Sequence, residues 1–590
     1  MGFQEVLHTL EEGGGRKILF GVGAVLAFFL FLLLYSALEF RGLAHDEAMD
    51  QAQLARNIAR GDGYTTSAIR PLAVWQLSQK GARALPDNGK TVGMPETLHP
   101  PLYPLVLAAA FKATGQSFAF DRIKNIQNLQ IYAPEKIMAW MGVIFYSCAL
   151  FFLFKTAESL FDSRVAWLAV LLAGTADLSW QFCLSGLCAP LLSLLLISSV
   201  WAWQNACAEQ EEGGSGLLWV ALAALLQGAL PLVKYSWFWV LPASLLFVWM
   251  AFPRRAAALG ITLIFFLLPS SLWFWRNHVV TGNLLGLAWF APLAGCAGYP
   301  GDSVWATLHP DFSEVTVKML AKKWVLNFRL QVEHFMFFLG SLFAGVFFWA
   351  SLMHRFKREH VERLKWWVLL ALALLMAGYA WGDLGKKEAL ASDNGIWVML
   401  PVFCMFAGAM FFLLLDRLGF ELPFFNHAVA GLCVVLNAAP LVMTLLPPRP
   451  FPVHYPPYYP PIIHLVSNCL TRGEVMASDL PVSTAWYGDR MSLLVPNRVR
   501  DFFEMNDFIF NQSIKGVLFS PVSLDGRLVS DIYTGRYQEW AGVLTQRGLP
   551  PLFPLQASTY LPPMKGYFFI CDSPRWTNFP VQSKSEMETP

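Results

Sequence analysis

Two adjacent carboxylates, Asp46 and Glu47, stand shortly after the first long apolar run of the sequence. The local order is Ala44-His45-Asp46-Glu47-Ala48-Met49-Asp50. Carboxylates are hard oxygen ligands for divalent cations, and either one can act as a general base. The segment therefore predicts a site for proton abstraction or for a metal ion. The alternative is an ordinary solvated helix at the membrane surface.

The segment that follows predicts a short amphipathic helix ending at Gly61, because glycine commonly terminates helices. The same loop ends with Leu98-His99-Pro100-Pro101-Leu102-Tyr103-Pro104-Leu105. Prolines favour the first turn of a helix, so a second helix is expected from Pro100 to Ala113. At roughly 14 residues it is too short to cross a bilayer, which takes about 20. We interpret it as an interfacial or re-entrant helix.

Two cations stand beside apolar runs further along the chain. Lys234 lies in the turn between two such runs, and Arg276 follows the aromatic segment Trp273-Phe274-Trp275. An ammonium is a compact charge suited to phosphate, and a guanidinium offers a fork of donors for it. The alternatives are a lysine that snorkels to the membrane surface and an arginine that anchors the interface.

The composition identifies the setting of these residues as a membrane. Of the 590 residues, 55% are hydrophobic and only 14% are charged, whereas soluble chains carry about 25% charged residues. The net charge of +2 and the absence of a basic patch exclude a nucleic-acid partner. Few ionisable residues fall deep inside the apolar runs, which argues against a proton-coupled pump.

Eleven apolar runs are long enough to predict membrane spans, and the first is interpreted as an uncleaved span. They are 18–39, 136–154, 165–183, 186–203, 217–233, 236–252, 256–274, 333–353, 366–382, 395–415 and 424–446. The distribution of Lys and Arg places the N-terminus in the cytoplasm, because the densest basic cluster lies in the 354–365 loop. Residues 41–133, residues 275–332 and everything after Pro447 then face the outer side.

The C-terminal part predicts a small soluble α/β domain. Residues 447–461 are rich in proline and are interpreted as a stiff linker between a membrane domain, 1–446, and an outer domain, 462–590. Short β-type runs follow, separated by polar or helical stretches, at 475–477, 493–495, 517–520 and 567–570. The expected fold is an all-α polytopic membrane domain with this α/β domain attached. A disulfide between Cys469 and Cys571 is left open.

An ordered set of short motifs resembles the GT-C fold glycosyltransferases that use polyprenyl-phosphate sugars, a superfamily that includes protein O-mannosyltransferases and bacterial aminoarabinose transferases. The set begins with "HDEA…A..IA.GDGY" and "HPPLYPLVLA" in the first outer loop. It continues with Leu232-Val233-Lys234-Tyr235, the "W..RN….GN..G" pattern of residues 273–286, Ser478-Asp479-Leu480-Pro481 and Ala485-Trp486-Tyr487-Gly488-Asp489-Arg490. The motifs cover most of the chain.

The resemblance implies an inverting glycosyltransferase of the bacterial plasma membrane, with its C-terminal domain in the periplasm. Its donor would be a polyprenyl-phosphate sugar, and its acceptor a hydroxyl of a glycan, a lipid or a protein. The resemblance assigns the role of base or metal ligand to Asp46 and Glu47. It places His99 and Tyr103 near the donor phosphate.

The same resemblance makes Lys234, Arg276 and Asn277 candidates for binding the donor. The chain departs from the family where many members have an acidic residue in a pattern like "SGLTEP", because Ala189 stands at that position. Asp177 is the candidate substitute, and with Asp46 and Glu47 it would hold an unidentified divalent metal. Two other functions stay open: a lipid or sugar flippase, and a catalytically degenerate scaffold for envelope assembly.

Overall fold

The computed structural model describes most of the chain. The described residues are 23, 28, 30–81, 93–119, 131–382, 388–418, 423–446, 460–471, 473–524, 536–545, 547–560, 567–572 and 575. Helices dominate up to residue 446, and a mixed sheet follows. The predicted linker, 447–461, lies almost wholly outside the described residues.

The helical part is a membrane domain whose helices coincide with the apolar runs. Five described helices are long and apolar enough to cross a bilayer, or six if a pair bent by 59° counts as one span. The five are Ala133–Leu160, Ala189–Glu211, Arg255–Thr281, Leu400–Arg417 and Phe425–Leu445, and the bent pair is Ser163–Gly174 with Asp177–Leu184. The prediction of eleven spans is not confirmed.

Several of the remaining apolar runs form helices that are short for a span. They are Leu30–Glu39, Leu217–Val233, Tyr235–Ala251 and Leu342–Leu352. At a rise of about 1.5 Å per residue, a helix of 17 residues covers about 25 Å, less than the roughly 30 Å hydrocarbon core. The helix Glu359–Tyr379 is longer but carries charge in its first two turns. Helices Val317–Glu333 and Phe335–Leu339 precede Leu342–Leu352.

The segment after the first apolar run contains the helix Asp46–Arg60, which we call the acidic helix. It ends at Gly61, which has φ of 92°, a left-handed conformation that glycine adopts without strain. The predicted end of the helix is therefore confirmed. Every residue from Ala48 to Asn57 is buried, so the alternative of a solvated surface helix is wrong. The helix is enclosed because other parts of the chain pack around it.

The helix Leu102–Ala113 packs beside the acidic helix and has 12 residues, about 18 Å, so it is too short to cross the bilayer. Tyr103, Leu107 and Phe111 repeat at intervals of four residues and are all buried, whereas Leu105 is exposed. One apolar face therefore packs inward, as expected for a helix that lies within the protein and not across the membrane.

The strands are β1 Thr65–Thr66, β2 Ala68–Ile69, β3 Met94–Pro95, β4 Val475–Ser478, β5 Met491–Leu494, β6 Ile514–Phe519, β7 Ala557–Tyr560 and β8 Phe568–Cys571. Six of them form one sheet in the order β2-β5-β4-β6-β8-β7. Strands β2, β5, β4 and β6 are parallel, and β8 and β7 are antiparallel additions. Strands β1 and β3 form a separate antiparallel pair. Helices Pro460–Ser467, Pro481–Gly488 and Val499–Glu504 connect or flank these strands.

Strand β2 follows the acidic helix in the chain, yet it extends the sheet formed by the C-terminal residues, which we call the C-terminal unit (460–575). Ala68 and Ile69 pair with Ser492 and Leu493. The core under this sheet also includes Leu72 and Phe290, so residues from the segments 41–133 and 275–332 contribute to it. The sequence predicts a domain boundary near residue 447, but the sheet contains strands from both sides of that position. Cys469 and Cys571 are both free thiols.

Candidate functional site

The acidic helix presents its three carboxylates in three different environments. Asp46, in the first turn, is exposed, Glu47 is partly buried, and Asp50 is buried. Acidic residues at a helix N-terminus are stabilised by the helix dipole. The first turn thus holds one carboxylate open to solvent, and the next turn holds one that requires an internal partner.

Lys234 is the partner of Glu47. Its Nζ lies 3.2 Å from both carboxylate oxygens of Glu47 and 2.9 Å from Oδ1 of Asp393, and it donates to the carbonyl of Ser392 at 2.7 Å. Burial opposes ionisation of Glu47, but Lys234 and His99 outweigh it and lower the pKa of Glu47. The predicted cation and the predicted acid therefore form an ion pair, with Asp393 as an additional acid.

The fold places Lys234 at this position by ending a helix. Residue 234 follows the helix Leu217–Val233 and has an extended backbone, which turns the chain into the 3-10 helix Tyr235–Trp239. On the other side, Asn394 caps the helix Gly395–Val398 by accepting from the amides of Ile396 and Trp397. That cap fixes the backbone next to Asp393, because a capping side chain satisfies amides that have no partner within the helix.

Asp50 is the centre of a second cluster. Its Oδ2 lies 2.5 Å from Nη2 of Arg70 and 2.8 Å from Nε2 of His99, and its Oδ1 accepts from Gln53 at 3.1 Å. Burial would raise the pKa of Asp50, but the charges of Arg70 and His99 hold it well below its usual range. The pKa of His99 is raised, because Asp50 overcomes the opposing effect of burial.

The predicted residue His99 is held in this cluster by its own backbone. The amides of Leu98 and His99 donate to Oε1 of Glu96 at 2.6 and 2.9 Å. The hydroxyl of Tyr64 donates to the carbonyls of His99 and Pro100 at 3.1 and 3.0 Å. These hydrogen bonds fix the turn that carries His99 and so hold its imidazole next to Asp50.

Arg276 lies on the other side of the same turn. Its guanidinium donates to the carbonyl of Glu96. It also packs over the rings of Trp273 and Tyr64, with its central carbon 4.8 and 5.6 Å from the ring centres. These contacts orient the guanidinium beside the loop that carries His99, and they leave Arg276 partly exposed.

Asn277 and Tyr103, two other predicted binding residues, bond to the protein itself. The Asn277 amide donates to the hydroxyl of Tyr235 at 3.2 Å and to the carbonyl of Leu284 at 3.3 Å. The Tyr103 hydroxyl donates to the carbonyl of Gly186 at 2.7 Å. Both side chains are buried. Their binding role stays a prediction, and their observed contacts are those of packing residues.

The predicted metal site is not assembled. Asp177 accepts from Gln181 at 2.7 Å and lies 3.4 Å from the hydroxyls of Tyr35 and Thr444. Across the described part of the chain, no group of three or more His, Cys, Asp or Glu side chains is arranged to hold a metal ion. Asp46, Glu47 and Asp177 therefore do not form a common ligand set.

A cavity of about 320 Å³ lies away from these residues, and its lining includes Gln210, Leu217 and Arg254. Leu217 begins the helix that ends next to Lys234, so this cavity is at the opposite end of that helix. The carboxylate–cation clusters, and not this cavity, contain the groups capable of acid–base chemistry.

Sequence comparison identifies no relative: no family profile matches the chain, and no curated protein matches it. Solved structures do match in fold. The oligosaccharyltransferase of Archaeoglobus fulgidus, in the apo form, has a TM-score of 0.51 and 11% identity over 89% of this chain and 72% of its own. ArnT from Cupriavidus metallidurans bound to undecaprenyl phosphate has a TM-score of 0.50 and 11% identity over 93% and 98%. Its apo form matches equally well, at 12% identity and a TM-score of 0.50.

Proposed function

We propose that this chain, which has the GT-C fold of membrane glycosyltransferases, transfers a sugar from a polyprenyl-phosphate donor to an acceptor hydroxyl. One observation carries the proposal. Within this fold, the helix that begins at Asp46 holds Glu47 3.2 Å from Lys234, a cation supplied by a distant segment. Of the fold neighbours, ArnT from Cupriavidus metallidurans was solved with undecaprenyl phosphate, which supports this class of donor.

Asp46 is the proposed base, because it is the exposed carboxylate at the start of the acidic helix. It takes the proton of the acceptor hydroxyl, the acceptor oxygen bonds to the anomeric carbon, and the bond from that carbon to the phosphate oxygen breaks. A single displacement of this kind inverts the configuration. Glu47 is fixed by Lys234, so its role is to keep the first turn of the helix in place.

The departing lipid phosphate needs positive charge, because stabilising developing charge is often the largest catalytic contribution. We propose Arg276 for this role, with His99 as a second charge raised toward protonation by Asp50. Arg276 is oriented by two aromatic rings and retains some exposure. No step is assigned to a metal ion, because the predicted ligands are not grouped.

The chain is a multi-pass membrane protein, and we propose the bacterial plasma membrane as its location. In this proposal the N-terminus is cytoplasmic and the C-terminal unit is periplasmic, as the positions of Lys and Arg indicate. The acceptor would be a glycan, a lipid or a protein, and membrane lipids surround the helical domain. Residues 1–446 would form the transferase domain and 462–590 an outer domain.

The test is donor cleavage by purified protein in nanodiscs, using a panel of radiolabelled polyprenyl-phosphate sugars. Release of free lipid phosphate by the wild type, lost in Asp46→Asn combined with Glu47→Gln, supports the transferase and locates its site. Glu158→Gln is the matched control, because Glu158 is exposed and pairs with Lys155 in the last turns of the helix Ala133–Leu160.

Two outcomes would oppose the proposal. Turnover by the double variant at the wild-type rate would remove the acidic helix from the chemistry. If the wild type binds lipid phosphate and cleaves no donor, a flippase or a catalytically degenerate scaffold becomes the better explanation. The alanine at position 189, where many family members carry an acid, is the sequence feature that favours such a scaffold.

A further inference from the structure

A segment of the C-terminal unit, Ala485–Asp489, contacts the acidic helix through a buried charge. Arg56 has no exposed side-chain surface and donates to the carbonyls of Ala485 and Trp486, each at 2.7 Å. Its guanidinium lies 3.4 Å from Asp489 and packs over the ring of Trp486. A buried guanidinium is stable only when its donors and its charge are matched. Arg56 therefore ties the middle of the acidic helix to this segment.

Arg60, one turn later, makes the second contact. Its two terminal nitrogens bond to the two oxygens of Asp489 at 2.7 and 3.0 Å. A bidentate ion pair of this kind restricts the relative orientation of the two side chains as well as their distance. Asp489 has φ of 50°, in the left-handed region, at the end of the helix Pro481–Gly488.

The third contact restrains the chain on the N-terminal side of Asp46 and Glu47. The indole of Trp486 donates to Oε1 of Glu135 at 3.0 Å, and Oε2 of Glu135 accepts from the amide of Leu43 at 3.3 Å. Leu43 precedes Asp46 in the chain. The segment 485–489 thus restrains the chain both before and after the acidic first turn.

We infer that Ala485–Asp489 is a clamp that sets the position of Asp46 and Glu47, and that Arg56, Trp486 and Asp489 are positioning residues for catalysis. Its kinetic consequence rests on the proposed transferase function. Displacing a catalytic group by about 1 Å can cost about 100-fold in rate. The segment Ala485–Asp489 then positions the catalytic groups without touching the reacting atoms.

Asp489→Asn tests the clamp, because asparagine tolerates the left-handed backbone and only the charge is removed. Glu474→Gln is the matched control, since Glu474 forms an ion pair with Arg575 in the same unit. Hydrogen exchange of peptides covering 43–60 is measured in detergent, and donor turnover is measured with an undecaprenyl-phosphate sugar in nanodiscs. The first readout does not depend on activity.

We expect Asp489→Asn to increase exchange in the acidic helix by about tenfold, as loss of a charged bond predicts. Its kcat should fall at least about tenfold while the donor KM changes less than about twofold, because the clamp orients a base and does not bind the donor. Glu474→Gln should change neither quantity.

Trp486→Phe is the second variant, and it tests whether the clamp positions the acidic helix if Asp489→Asn does not fold. Phenylalanine keeps an aromatic ring but has no N–H to donate to Glu135, so hydrogen exchange should rise in the residues just before Asp46. Wild-type exchange and kcat in the folded variants would overturn the inference. Absence of turnover by the wild type would instead contradict the proposed function, and the exchange measurement would still decide whether the clamp exists.

Discussion

The ammonium of Lys234 lies 3.2 Å from both carboxylate oxygens of Glu47, although the two residues are 187 positions apart in the chain. The same ammonium is 2.9 Å from Asp393. One cation thus joins the first turn of the acidic helix to the end of the helix Leu217–Val233 and to the loop before Gly395. Motion of any one of these segments would leave a partly buried charge without its partner.

Lys234→Met should therefore destabilise the protein and reduce its activity. The Lys234 pair is partly buried, so the cost should lie between the roughly 1 kcal/mol of an exposed ion pair and the about 3–5 kcal/mol of a buried one. The kcat should fall about 100-fold as the first turn loses its anchor. Thermal unfolding and donor cleavage measure the two effects. Lys155→Met is the control, because Lys155 forms an exposed pair with Glu158. Equal behaviour of the two variants would show that the Lys234 cluster is unimportant.

The Asp50–His99 pair predicts loss of stability at alkaline pH. The pKa of His99 is raised above its ordinary value of 6.5 by Asp50, against the opposing effect of burial. The stabilisation is complete below pH 6.5 and is lost as the pH rises through the raised pKa. Thermal unfolding between pH 6 and 9 should show this decline, and His99→Gln should remove it. An unchanged slope in the variant would refute the assignment.

The Asp50–His99 pair also predicts a loss of stability at acid pH. The pKa of Asp50 lies below its ordinary value of 3.8, because Arg70 and His99 overcome burial. Its contribution is present above that ordinary value and is lost only as the pH falls through the depressed pKa. In Asp50→Asn, the alkaline decline should also weaken, since His99 loses the carboxylate that raises its pKa. This variant is an independent check on the source of the effect.

Arg276→Met should raise the donor KM or lower kcat, because it removes the proposed partner of the lipid phosphate. Arg276→Lys keeps the charge and loses the planar fork, so it should recover only part of the activity. Steady-state kinetics with varied donor separates the two parameters. Wild-type kinetics in the methionine variant would exclude Arg276 from the site.

Tyr103→Phe should reduce stability without changing the donor KM. Its hydroxyl bonds to the carbonyl of Gly186, and leaving that buried carbonyl unpaired costs about 1–3 kcal/mol. Gly186→Ala should be at least as damaging, because φ is +74° and an added Cβ would lie 2.4 Å from a methyl of Leu43. A raised donor KM in Tyr103→Phe, with normal stability, would instead support the predicted binding role.

Local sequence signals were sufficient to predict a helix in this segment and its end at Gly61, but they did not show that the helix begins at Asp46. The adjacent acids, the helix-terminating Gly61 and the prolines before Leu102 are all short-range features. The sequence also indicated Lys234, since a lysine between apolar runs is conspicuous, but its partner could be identified only from the structure. Four of the five strands of the C-terminal unit were predicted, because each is an apolar run with β-forming residues, and β7, Ala557–Tyr560, was missed.

The missed residues depend on contacts between distant segments. Asp50 and Arg70 look like ordinary surface charges in the sequence, and only the fold shows that Asp50 is buried, and Arg70 partly buried, beside His99. Strand β2 has two residues, too few for any periodic pattern. Asp393 was also missed, because its contact with Lys234 joins segments far apart in the chain.

The bond between Arg56 and Trp486 has a consequence for how the protein is made, because the two residues are 430 positions apart. At a synthesis rate of about 5–20 residues per second, the acidic helix would wait roughly 20–90 s for its partner. During that time a charged arginine and an unpaired strand edge stand beside the membrane. Prematurely terminated chains would insert in the bilayer without the contact between Arg56 and Trp486. Proteases would recognise such chains by the unpaired edge of β2.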